Sequence, residues 1–95
     1  MEALINQFFE IEKKSLEHQL SHFERNFNRI HHEFTEMGYK IVNPLGQPYD
    51  ERDTALEANL MHPGAKKITK VLKPIIYREE ANGYVLIQKG VVIVE

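Results

Sequence analysis

From Met1 to Met37 the chain contains neither glycine nor proline, so nothing local interrupts a helix over the whole stretch. At roughly 1.5 Å per residue such a helix would be about 55 Å long. Within it Leu16, Leu20, Phe23, Phe27, Ile30, Phe34 and Met37 recur at spacings of 4, 3, 4, 3, 4 and 3, the seam of a coiled coil. Extended backwards, the seam falls on Lys13 and Asn6, whereas the apolar residues there are Leu4, Ile5, Phe8, Phe9 and Ile11. The register therefore breaks between Ile11 and Ser15. A stutter at Glu12 to Ser15 would keep one helix; a short first helix followed by a second with Ser15 as N-cap is the alternative. Continuity is favoured because no turn residue intervenes. Gly38 follows the last seam residue, where a left-handed C-cap belongs.

A single small module cannot cover so long an apolar stripe, so Leu16, Leu20, Phe23, Phe27, Ile30, Phe34 and Met37 are expected to pair between two copies of the chain. Phenylalanine at three seam positions calls for a wider interface than a tight zipper. A four-helix arrangement of two hairpins, or a broad two-helix contact, would accept it. Size points the same way: a chain of 95 residues hides only about 60 to 65% of its extended surface on folding, and association adds burial.

After Gly38 the patterning changes. Tyr39-Lys40-Ile41-Val42 alternates like a short strand, and Asn43 to Pro48 is turn chemistry. Asp50 to Met61 reads as one or two helical turns with Ala55, Leu56 and Leu60 inward, closed by His62-Pro63-Gly64. An extended segment from Ile68 to Tyr77 follows, with Pro74 marking it as an edge strand or bulge. Asn82-Gly83 between apolar runs signals a hairpin into a strand Tyr84 to Gln88, and Lys89-Gly90 kinks into a last strand, Val91 to Val94. The fold class is therefore α+β and dimeric: a coiled-coil-like dimerisation helix over residues 1–38 and a small antiparallel β-domain over residues 39–95.

Composition excludes several functions. Twelve Lys plus Arg against 14 Asp plus Glu give a net charge of −2, without the clustered cations that displace counterions from nucleic acid. No cysteine is present, so disulfides, thiolate metal sites and thiol nucleophiles are out. The longest apolar runs fall far short of the roughly 18 residues a membrane span needs. Met1 to Asn6 shows no basic signal-peptide region, and a cytoplasmic location follows by default.

The order of these segments resembles the C-terminal part of the GrpE family, nucleotide exchange factors of DnaK-type chaperones. The likeness rests on Glu36-Met37-Gly38-Tyr39-Lys40-Ile41-Val42, on Gly46-Gln47-Pro48-Tyr49-Asp50, on Lys70 to Tyr77, and on Gly83 to Val94. It covers about Leu16 to Val94. This chain differs from the family pattern at Glu51, Thr54, Ile76, Tyr84 and Gln88, where the family has Pro, His, Gly, Arg and Arg. The resemblance implies a dimer whose β-domain wedges into the nucleotide cleft of a chaperone ATPase domain and speeds ADP release. It implies partner contacts from Lys73, Pro74, Tyr84, Gln88 and Val94, and no cofactor.

The remaining chemistry-bearing residues have plainer readings. His18 and His22 stand four apart, and His31, His32, Glu33 and Glu36 could join them at a metal; a solvated helix face is the plainer account. Asp50, Glu51 and Asp53 form a carboxylate cluster, with Asp50 expected to cap the turn that follows. Lys66, Lys67, Lys70 and Lys73 make a short basic stripe suited to an exposed edge. No phosphate loop, nucleophile elbow or metalloprotease motif occurs, so an enzyme is not expected. The alternative to exchange activity is a dimeric adaptor with the same fold.

Overall fold

The computed structural model describes all residues from Met1 to Glu95. The architecture is α+β: two helices, α1 (Glu2–Glu17) and α2 (Glu24–Glu36), joined through a 3₁₀ turn at Ser21–Phe23, pack on a module of six strands. The strands are β1 (Tyr39–Val42), β2 (Leu56–Leu60), β3 (Ile68–Lys73), β4 (Ile75–Glu80), β5 (Gly83–Gln88) and β6 (Gly90–Val94). They form two three-stranded sheets, ordered β1-β4-β5 and β2-β6-β3.

The expected continuous helix is broken, and not at the stutter. Three hydrogen bonds end α1: His18 N–H to Lys14 O, Gln19 N–H to Leu16 O and Leu20 N–H to Ser15 O, at 3.0, 3.0 and 2.9 Å. Gln19 takes φ +57°. These are the crossed bonds and left-handed residue of a Schellman cap, a role glycine usually fills. Buried Ser15, offered as a helix start, instead closes this helix end: its Oγ donates to Leu20 O at 3.0 Å. α2 ends as the sequence indicates, with Gly38 at φ +89° and its N–H on Thr35 O.

The break lets α1 fold back and lie over both sheets. Ile5 and Phe8 pack with Phe34 of α2 and Ile76 of β4, while Phe9 enters the second cluster with Ile68, Val71, Val92 and Val94. Phe8 meets Phe27, His31 and Phe34 at ring separations of 5.8, 4.8 and 5.7 Å, edge-to-face or tilted geometries that aromatic pairs prefer. The heptad spacing thus serves two purposes. Phe27 and Phe34 face inward in this chain, and the other seam residues face out.

Two strand expectations are also corrected. Leu56–Leu60 is a strand rather than a helical turn, and it runs parallel to β6 from Leu56 opposite Gly90 to Leu60 opposite Val94. The β-module is therefore mixed, not wholly antiparallel. The extended segment Ile68 to Tyr77 is two strands, split at buried Pro74 where the chain leaves one sheet for the other. It returns at Gly90, directly alongside. A Cβ on Gly90 would lie 2.9 Å from Ile75 Cγ1 and 3.0 Å from Leu56 Cδ2, so only glycine lets the two crossings pack side by side.

Candidate functional site

Two exposed features stand out, one on each part of the fold. The first is apolar and helical. Leu16 is 78% exposed, and Leu20, Phe23, Ile30 and Met37 are exposed as well. At the elbow of the hairpin Leu16 and Leu20 border a groove of about 930 Å³ that runs against Val71 and Lys70 of β3 and Leu45 of the loop after β1. Lys13 crosses its floor, with Nζ on Val71 O at 3.5 Å.

The second lies on the β1-β4-β5 sheet. Lys40 of β1 is opposite Tyr77 of β4, and Tyr84 of β5 is opposite Glu79. Alternation puts Lys40, Tyr77 and Tyr84 on one face, and Lys40 Nζ sits 5.9 Å from the Tyr77 ring centre and 5.4 Å from that of Tyr84. An ammonium over two phenol faces holds the rings in place and keeps a positive charge at the surface. Tyr84 is 55% exposed.

The five residues expected to contact a partner are not brought together as one surface. Lys73 is exposed at the end of β3, and Tyr84 is exposed on β5. Pro74 and Val94 are fully buried and present no side chain to a partner. Gln88 is half-buried and already engaged: Asn6 Nδ2 donates to Gln88 Oε1 at 2.8 Å, Gln88 Nε2 donates to Asn6 Oδ1 at 2.8 Å, and the same nitrogen reaches Pro74 O at 2.9 Å. That reciprocal pair ties α1 to the sheet crossing. Lys40 and Tyr77 were missed because nothing in the sequence links them to Tyr84 before the strand register is known.

The histidines are dispersed. His18 caps α1 and His22 lies in the 3₁₀ turn, so their spacing is not that of one helix face. His31 Nε2 stands 3.1 Å from both carboxylate oxygens of Glu12, clasping α2 to α1, and His32 pairs with Glu36 at 3.5 Å. No group of three or more His, Asp or Glu side chains is placed to hold a metal ion. Asp50 organises a turn: it accepts from the Arg52 guanidinium at 3.1 and 3.0 Å and from the Arg52 backbone N–H at 2.9 Å. The Arg52 side chain first, and then its amide, hold the Asp50 carboxyl below the usual range. Asp53 repeats the turn by accepting from Ala55 N–H at 2.9 Å. No helix follows, so the expected helix cap is a pair of Asx turns. No helix is long and apolar enough to cross a membrane.

Compared with protein-family models, with curated proteins and with solved structures, the chain matches none.

Proposed function

We propose that this chain is a dimeric interaction protein of GrpE type, which uses its β-module to promote ADP release from a DnaK-type chaperone. The observation carrying this reading is that the segments behind the resemblance, from Tyr39 onward, all lie in one two-sheet module. Tyr39–Val42 enters antiparallel to β4 directly after Gly38, and Gln47 O and Gly46 N–H pair with Ile68 of β3. The contact face would be Lys40, Tyr77 and Tyr84 of the β1-β4-β5 sheet, with Lys73 on β3 of the other sheet. The protein would act by preferring the open nucleotide cleft over the closed one, since only a difference in affinity shifts that equilibrium.

Surface area supports dimerisation. The chain exposes 6875 Å² at 11.1 kDa, against about 5,700 Å² for a compact monomer of that mass. The excess, about 1,200 Å², exceeds the roughly 800 Å² that each partner contributes to a standard interface. The exposed members of the helical stripe would supply the apolar centre of that contact.

The test is stopped-flow release of a fluorescent ADP from a DnaK-type ATPase domain. A tenfold acceleration, about 1.4 kcal/mol off the release barrier, that is abolished by Lys73→Glu with Tyr84→Ala in a folded dimer, supports the exchange reading. A second reading, an adaptor of the same fold without exchange activity, is favoured by the internal engagement of Gln88 and the burial of Pro74 and Val94. A folded dimer that leaves ADP release unchanged would establish it over the first.

A further inference from the structure

Apart from a bulge at its Gln88 end, the strand that closes the β1-β4-β5 sheet carries none of the usual devices against edge pairing. β5 is six residues long, Gly-Tyr-Val-Leu-Ile-Gln, with neither charge nor proline. It pairs with β4 alone, and no backbone hydrogen bond from another loop or element reaches it. Its outward N–H and C=O groups, on alternate residues, are therefore open. The other three edges are blunted. β1 is short and carries Lys40, and β2 carries Glu57. β3 is covered by the 46–47 loop, whose Gly46 N–H and Gln47 O bond to Ile68, and by Lys13 on Val71 O.

We infer that β5 pairs with β5 of a second copy, antiparallel about a twofold axis, to make one six-stranded sheet in the order β1-β4-β5-β5-β4-β1. Charge selects this partner and this direction. The Gly83 end of β5 is flanked on β4 by Glu79 and by Glu80, the latter paired with Arg78 at 3.0 Å, so Glu79 is the free acid there, and Lys89 follows the other end. Antiparallel pairing sets the lysine end of each copy beside the acidic end of the other; parallel pairing would set like charges together. The antiparallel arrangement is also isologous and closes on itself. A register shift opposite Ile76 and Tyr77 bends the Gln88 end, which centres the contact near Val85, itself 47% exposed. The contact uses none of the helical stripe, so a chain that makes both contacts assembles beyond a dimer, and it does not depend on exchange activity.

Sedimentation velocity on the full chain tests this. With the helical contact removed by Leu20→Glu and Phe23→Glu, the protein is expected to remain a dimer held by β5. Adding Val85→Lys, which sets like charges near the axis, should give a monomer; adding Val85→Thr, uncharged and strand-compatible, should retain the dimer. A monomeric Leu20→Glu/Phe23→Glu protein, or a mass unchanged by Val85→Lys, overturns the inference. Amide exchange on the unsubstituted chain guards against a folding defect: β5 protection should rise with protein concentration, and protection independent of concentration overturns it equally. Loss of ADP-release activity has no bearing on either readout.

Discussion

Gln19 is the one non-glycine residue held at positive φ, and it stands where the whole helical hairpin turns. A left-handed conformation costs an L-residue roughly 1 to 2 kcal/mol, part of which glycine returns through its greater freedom when unfolded. Gln19→Gly is therefore expected to stabilise the protein by about 0.5 to 1 kcal/mol, raising the thermal midpoint by a few degrees for a domain of this size; calorimetry checks it. Gly90 is the opposite case, because Ile75, Leu56 and Lys73 O surround the space a side chain would need. Gly90→Ala should destabilise by about 1 to 3 kcal/mol as the crossing is forced apart, read as a lower urea midpoint. At Asp50 the sign follows from its hydrogen bonds with Arg52. A carboxyl held below its ordinary value contributes stability above the ordinary carboxylate range and loses it as pH falls through the folded value. The pair is exposed, so solvent screens the effect. Arg52→Ala should raise the Asp50 titration midpoint, followed by NMR, and leave stability at neutral pH nearly unchanged.

At the scale of elements, α1 decides how the molecule is joined. One face of it sends Ile5 and Phe8 to the β1-β4-β5 sheet and Phe9 to the β2-β6-β3 sheet, and the Asn6–Gln88 amide pair fixes its position along both. Phe8→Ala removes a ring touching Phe27, His31 and Phe34 and is expected to cost about 3 to 5 kcal/mol. Leu16→Ala, at an exposed position, should leave the folding of a single chain nearly unaffected; paired urea titrations distinguish them. Local signals explain which elements were legible. Gly38 after a helical run and Asn82-Gly83 between apolar runs act through backbone geometry that the residue types themselves dictate, and the helix end and the hairpin turn are where the sequence put them, although the strand before the turn runs on to Glu80. The end of α1 was not legible because glutamine carries no mark of a left-handed cap. β2 was not legible because Leu-Glu-Ala-Asn-Leu suits a helix, and only its parallel register with β6 makes it a strand. The heptad spacing does not stay on one helix, since the chain turns between Leu16 and Phe27, and spacing cannot say that Phe27 and Phe34 meet Phe8 of the same chain rather than a partner.

For the molecule as a whole, the hairpin alters what a dimer must look like. A continuous helix would have offered seven seam residues to a partner; the folded-back pair keeps two of its phenylalanines inside and leaves Leu16, Leu20, Phe23, Ile30 and Met37 outside. Only 14 of 95 residues are buried in the isolated chain, so the proposed association would add a large share of the stability of so small a domain. The thermal midpoint should therefore rise with protein concentration, as it does when folding and assembly are linked. Leu20→Glu with Phe23→Glu places two carboxylates in the apolar centre of the helical contact. Circular dichroism should show the secondary structure retained, because neither side chain is buried within the chain, while the concentration dependence weakens. Complete persistence of that dependence would mean that the helical stripe is not an interface. It would leave the uncharged edge of β5 as the surface through which the copies meet.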